Sequence, residues 1–336
     1  MSSKSRNPGP MEAQTILTAQ DQSLFDEAWA LSRENHGHTL DLYLPGMIRY
    51  GNVRGRYPAI SITGNQCRLL CDHCRGLLLR PMLKAKDPDD LLRRCKAFAK
   101  NGAHGVVLTG GSDPEGQLPW SDYLSAVQRI KSETGLFISA HTGFPDYKTC
   151  CDLKEAGVTQ GLIDVMGDHE TARAIYHLKG LNPVLEALAG IKESGLQLAP
   201  HIVAGLFHGR IKAEQEALKI IRSHDPHVLV IVVLTPLKGT PMAGDTPPSP
   251  LEIGRLAAQA RLLMPQVPIS LGCERPRNRK GWEMERLAIR AGVNRMAVWS
   301  DQAVHEARRL GLTIRFQRTC CSLDFKEEYA FPHQDF

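Results

Sequence analysis

Eight short apolar runs, most of them followed by an amphipathic stretch, limit this chain to folds built on a parallel β-sheet. The runs fall at residues 58–63, 105–110, 136–141, 160–166, 196–206, 228–235, 267–272 and 295–299. They are too short for buried helices, and the stretches between them, such as 87–100, 120–134, 213–222 and 251–263, carry the helical period. A strand followed by a helix and another strand must cross back over one sheet face, so the strands lie parallel. In 87–100 the acidic residues Asp87, Asp89 and Asp90 come first and Arg93, Arg94, Lys96 and Lys100 later, the order a helix dipole favours. Roughly eight such units over about 250 residues match a (β/α)8 barrel, although an open six-unit barrel or a doubly wound sheet gives a similar pattern.

Two stretches stand outside the repeat. Residues 11–36 read as a helix stopped by Gly37, and 239–250, GTPMAGDTPPSP, as a Pro/Gly loop after the sixth strand. The expected organisation is an N-terminal helical extension over 1–50, a barrel over 51–300 and a C-terminal segment over 301–336. Within that last segment, 312–336 holds one short strand candidate and a polar tail. The opening MSSKSRNPGP is polar and helix-breaking where a secretory leader has an apolar core, so 1–10 read as frayed. No run approaches the roughly 18 apolar residues of a membrane helix, and the expected location is the reducing cytoplasm. A net charge of +5 is too mild for sequence-independent nucleic-acid binding and favours acidic small molecules or an acidic partner. In such a compartment nine cysteines suit metal binding or catalysis better than a disulfide framework.

The cysteines are unevenly spread. SITGNQCRLLCDHC places Cys67, Cys71 and Cys74 in a CxxxCxxC loop directly after a strand. Three thiolates so close can hold three irons of a four-iron cubane and leave the fourth without a protein ligand. A closed zinc site wants a fourth Cys or His at its own spacing, and only His73 lies within the loop.

This loop resembles the signature of the radical S-adenosylmethionine (SAM) superfamily. The resemblance implies a 4Fe–4S cluster on Cys67, Cys71 and Cys74, with SAM chelating the open iron and being cleaved to methionine and a 5′-deoxyadenosyl radical. It also implies a (β/α) barrel of the radical SAM type, full or partial. LTGGSDPEG at 108–116 is similar to the family's glycine motif, with Gly110 and Gly111 facing the methionyl amino group. His73, Ser112 and His141 join the expected SAM-binding set. Asp164 in LIDVMGD and the stretch HIVAGLFHG at 201–209 fall where family members contact ribose and methionine. VVLTPLKGTPM at 232–242, with Thr235, resembles the biotin synthase segment that borders the adenine. Each of these segments also reads as a core strand plus a turn. Arg210 and Lys238 are further pocket candidates.

The resemblance covers most of the chain and points to the biotin-synthase-like branch. ENHGHTLDLYLPGMIRYGNVRGRYPAISITGNQCRLLCDHCRG, AHTGF, IDVMGD, LTPLKGTPM, LGCERPRN and CCSL look most like subunits of the two-protein lipoyl synthases. That likeness implies sulfur insertion into an octanoylated lipoyl carrier domain, a second related radical SAM protein as partner, and an electron donor such as ferredoxin or flavodoxin. Sulfur insertion in related enzymes draws on an auxiliary iron–sulfur cluster, for which Cys273, Cys320 and Cys321 are the expected ligands and Cys150 or Cys151 a further candidate. Cys95 reads as helix packing. No cysteine precedes Cys67, so the N-terminal three-cysteine motif of single-chain lipoyl synthases is missing, as is their serine-containing C-terminal motif. The run Arg275, Arg277, Arg279 and Lys280 reads either as a solvated loop or as a docking patch for an acidic carrier. Another biotin-synthase-like reaction, whether methylation, rearrangement or cofactor assembly, and a non-catalytic iron–sulfur partner protein are the alternatives.

Overall fold

The computed structural model describes residues 15–331. After helix α1 (Ala19–His36) come strand β1 (Thr39–Tyr43), a small antiparallel hairpin of β2 (Arg49–Tyr50) and β3 (Val53–Arg54), and strands β4 (Ala59–Ser61) and β5 (Leu83–Lys84). Strand–helix alternation then takes over: α2 (Pro88–Lys100), β6 (Gly105–Thr109), α3 (Leu124–Thr134), β7 (Phe137–His141), α4 (Tyr147–Glu155) and β8 (Gln160–Asp164). It continues through α5 (His169–Ala174), α6 (Asn182–Glu193), β9 (Gln197–Ala204), α7 (Glu214–Ser223), β10 (Leu229–Val233) and α8 (Pro250–Leu263). The last elements are β11 (Ile269–Leu271), α9 (Arg279–Arg290), β12 (Arg295–Ala297), α10 (Asp301–Arg309) and β13 (Thr313–Gln317). Eleven strands make one sheet in the order β13-β1-β12-β11-β10-β9-β8-β7-β6-β4-β5, and every pairing in it is parallel. The expected radical SAM (β/α) barrel is therefore present in its partial form, with β5 and β13 as edges. A backbone bond from Arg56 N–H to the Arg318 carbonyl, 2.9 Å, spans part of the open side.

The pleat divides each strand between two environments. Gly161 on β8 faces Ile191 of α6, so Gln160, Leu162 and Asp164 point to the opposite, inner face. Following the register from there, the outward set is Val106, Leu108, Ile138, Ile163, Leu198, Ile202, Leu229 and Ile231, all buried beneath the helices. Much of the inward set is small or polar, including Ser61, Thr109, Ser139, Ala199, His201, Ser270 and Ala297, beside the apolar Leu162 and Val230. The main core thus lies between sheet and helices, and small inner side chains leave room for a cavity at the C-terminal strand ends.

Helix α1 ends at Gly37, φ 64°, as its sequence suggests, and Thr18 caps its start. Its Asp21 accepts two hydrogen bonds from Arg255 of α8, at 2.6 and 3.0 Å. The part of that expected helix before residue 15, residues 1–10 that were expected to fray, and the end of the polar tail lie outside the described residues. The sheet crosses the boundaries drawn at 50 and 300, because β1 is inserted between β12 and β13. After β13 the chain turns into the concave inner face. There Tyr43 Oη donates to the Leu323 carbonyl at 2.8 Å, Gln160 Nε2 to the Ser322 carbonyl at 3.0 Å, and Arg295 pairs with Asp324 at 2.6 Å. Among the described residues no helix is long and apolar enough to cross a membrane.

Candidate active site

The loop after β4 carries Cys67, Cys71 and Cys74 and is clamped by backbone bonds from outside itself. The N–H groups of Arg68 and Leu69 both donate to the Ser112 carbonyl, at 2.7 and 3.1 Å, and Asp72 N–H donates to the Ile175 carbonyl at 2.9 Å. Within the loop, Cys74 and Arg75 N–H groups turn back onto the Cys71 carbonyl. The glycine pair after β6 seats against it: Gly111 N–H donates to Thr63 Oγ1 at 2.7 Å, and a Cβ on Gly111 would meet Gln66 O at 2.0 Å and Cys67 Cβ at 2.5 Å. The sequence Gly-Gly is thus required by close approach of two loops.

These elements enclose a cavity of about 190 Å³. Cys67, Cys71, His73, Cys74, Gly110 and Gly111 line it together with Ser112, His141 and Asp164, so most of the expected SAM-binding set converges. Thr235 does not line it; the residue sits just past the end of β10. Arg210 and Lys238 are exposed and lie outside it. Sequence reasoning missed Tyr176, which follows α5, and left His201 inside a longer motif. Tyr176 Oη donates to Asp164 at 2.7 Å, and His141 Nε2 stands 3.7 Å from the same carboxylate. No local pattern marks Tyr176, since only the return of the chain after α5 brings it to the strand end.

The charges here are mutually arranged. The Cys71 thiol donates to Cys74, which raises the pKa of Cys71 and lowers that of Cys74. Burial works against a charged His73, yet the Cys74 sulfur and Asp164 outweigh it and leave the imidazole more basic than usual. Burial likewise opposes an ionised Asp164, but His141, His201, the Tyr176 hydroxyl and His73 hold its pKa below the ordinary value. His201 is pushed down to about 4 by burial, with His141 adding to the effect. A buried His73 Nδ1 has no hydrogen-bond partner. Among the described residues no three Cys, His, Asp or Glu side chains converge as ligands of one ion. The donor set therefore fits a cluster better than a single ion, because each thiolate of a cubane binds its own iron.

Residues 61–219 match the family described as the radical SAM superfamily. They form a radical SAM domain. Such a domain implies a 4Fe–4S cluster and SAM. The radical SAM chain is 26% identical over 291 residues to a biotin synthase of Pelotomaculum thermopropionicum, covering 82% of this chain and 87% of that one. It is also 26% identical over 233 residues to a 3-methylornithine synthase of Methanosarcina barkeri, covering 68% and 64%. Among solved structures, a methylornithine synthase superposes with a TM-score of 0.63 at 18% identity, covering 90% of this chain and 91% of the other. The [FeFe]-hydrogenase maturase of Carboxydothermus hydrogenoformans gives 0.63 at 17%, covering 90% and 74%. At these identities the structural likeness establishes the fold. Together with the match over residues 61–219 this supports a radical SAM enzyme, whose curated relatives include biotin synthases and 3-methylornithine synthases.

A second set of thiols lies within electrostatic reach of one another. Exposed Cys273 follows β11, while Cys320 and buried Cys321 arrive from the segment after β13. The Cys320 sulfur accepts from Cys321 and from Ser322 Oγ, and Cys273 lies within electrostatic reach of both cysteines. Cys150 and Cys151 do not join this group. Both belong to α4 in the outer helical layer, where Cys150 packs against Gly190 of α6. Cys95 is buried in α2, as its helical setting suggests. The basic run after Cys273 is only partly a surface patch. Arg275 is wholly buried and paired with Glu285 at 2.6 Å, and Arg277 donates to the carbonyls of Cys273 and Val298. Both guanidiniums are engaged by backbone carbonyls, Arg275 from a buried position and Arg277 from an exposed one.

Proposed function

We propose that this radical SAM enzyme is a sulfurtransferase, one subunit of a two-component lipoyl synthase acting on an octanoyl chain held on a lipoyl carrier domain. The observation that carries the reading is the presence of two separate thiol groups on the inner side of one sheet, one after β4 and one after β11 and β13. Cys67, Cys71 and Cys74 would hold the 4Fe–4S cluster. The backbone of Gly110 and Gly111, with Ser112, His73, His141 and Asp164, would receive SAM, and Thr235 would border its outer side. Cys273, Cys320 and Cys321 would hold an auxiliary cluster. When bound, the first cluster with SAM supplies a 5′-deoxyadenosyl radical that takes hydrogen from an unactivated carbon, and the second supplies sulfide to that carbon.

The chain's own contribution is placement. Asp164, kept ionised by its histidine neighbours, offers two acceptors to vicinal hydroxyls. Ala199, Val230 and Ala297 pack with Cys321 in a small buried apolar cluster on the inner wall, with Val232 at its margin. A second related radical SAM protein and an electron donor such as ferredoxin or flavodoxin complete the proposed system.

Iron and sulfide counts on anaerobically reconstituted protein test the reading. The triple variant C67A/C71A/C74A is expected to keep about half of the wild-type iron, as two clusters require. An iron-free triple variant rejects it. Mass spectrometry of an octanoylated carrier peptide, incubated with the protein alone and with its partner, reads sulfur addition directly. The likeness to 3-methylornithine synthases favours a second reading, a carbon-skeleton rearrangement without sulfur, for which the wild type would hold a single cluster.

A further inference from the structure

The turn that follows β12 contains a costly backbone. Val298 has φ 52°, in the left-handed region that a β-branched residue rarely enters. Such strain, about 1–3 kcal/mol, persists only where surrounding groups hold it. Here they are identifiable. Val298 N–H donates to the Tyr43 carbonyl at 2.9 Å, and its own carbonyl accepts from both Arg275 and Arg277. Arg275 also donates to the carbonyls of Gly272 and Ala297, and Arg277 to the carbonyl of Cys273. Beneath them Glu285 takes Arg275 on one oxygen and the Ser300 N–H and hydroxyl on the other.

All but one of these guanidinium bonds end on backbone carbonyls of two short stretches, 272–273 and 297–298. A buried Arg–Glu pair is poor value as a source of stability, because desolvation cancels much of its attraction. Its geometric effect is large, since a guanidinium presents several fixed donors in one plane. What that geometry orients is the loop bearing Cys273, the one exposed thiol of the second group. We propose that Arg275 and Arg277 are positioning residues which lock the Cys273 loop to the strained Val298 turn, so that the Cys273 thiol faces Cys320 and Cys321. Arg275 is the buried anchor and half-exposed Arg277 the adjustable arm. What that orientation serves, three thiols as ligands of one cluster, rests on the proposed function.

The test uses full-length C67A/C71A/C74A protein without iron, treated with the thiol-bridging reagent dibromobimane and mapped by mass spectrometry. Adding Arg277→Ala is expected to lower bridging of Cys273 to Cys320 or Cys321 about tenfold, the scale on which groups that orient ligands act. Arg277→Lys, which keeps a donor, should restore part of it. The thermal midpoint should barely move, because Arg277 is half-exposed. Undiminished bridging in Arg277→Ala overturns the proposal, and so does a loss that appears only together with loss of cooperative melting. Iron counts on wild type and R277A, with the first triad intact, address the cluster separately. If the wild type holds iron for one cluster only while bridging still depends on Arg277, the auxiliary-cluster reading fails and the positioning role stands.

Discussion

At Gly111 the demands of two loops meet at one hydrogen atom. A methyl group there would overlap Gln66 O and Cys67 Cβ, whereas at Gly110 the nearest atoms are side-chain atoms of Thr63 at 3.0 Å. Gly111→Ala is therefore expected to displace the cysteine loop, to cost about 2–3 kcal/mol as overpacking does, and to lose most of the iron bound by the first triad. Gly110→Ala should be milder, and iron content with thermal melting on both variants checks the ranking. The cysteine spacing, the glycine pair, His141 and Asp164 were legible in the sequence because each stands in or beside a short motif at a strand end. Tyr176 and the burial of Arg275 were not legible. Tyr176 owes its place to the chain's return after a six-residue helix. A run of four basic residues reads as solvated until the fold sets Glu285 beside one of them.

Among the elements, the repeating strands and helices were readable because their two hydrophobic periods differ, and the observed ends mostly lie within a few residues of the expected ones. Strand β1 escaped notice: TLDLY is five residues long and becomes a strand only through β12 and β13 on either side. Helix α1 is fastened to α8 by a group that responds to pH. Arg261 of α8, fully buried, donates to His36 Nε2 at 2.7 Å and to the carbonyls of Pro265 and Val267. Burial, followed by the nearby Arg261 charge, holds the His36 pKa at about 4. The unfolded chain, with an ordinary value near 6.5, binds its proton first as pH falls, so this contribution to stability declines between about 6.5 and 4 and then levels off. His104 and His201, each also pushed down to about 4 by burial, act in the same direction. Urea midpoints at pH 7 and pH 4.5 are expected to show a loss of several kcal/mol in total, of which His36 supplies about 2–3. His36→Gln, which still accepts from Arg261, should flatten the slope by that share. An unchanged slope would show that His36 titrates alike in the folded and unfolded chains, against this account.

Taken as one object, the molecule depends on a chain end that returns to the inside of its own sheet. Asp324 receives Arg295 of β12 at 2.6 Å and His227 at 3.1 Å, tying the segment after β13 to the inner wall. Asp324→Ala leaves the nearly buried Arg295 guanidinium without that carboxylate. We expect a cost of about 2 kcal/mol, reduced from the value for a fully buried pair because Asp324 itself is half exposed, and faster cleavage after residue 317 in limited proteolysis. Equal protease resistance would mean that the segment is held by its backbone bonds alone. The amino-acid order by itself determined the parallel (β/α) architecture and the first cysteine triad, because hydrophobic period and an eight-residue motif are local properties of the chain. Only the tertiary structure decided that Cys273 comes within electrostatic reach of Cys320 and Cys321 while Cys150 stays in the outer helical layer, and that Arg275 is buried against Glu285. Those facts depend on where segments almost fifty residues apart come to rest, which is set by how the sheet curves and by which carbonyls are left to be satisfied inside it.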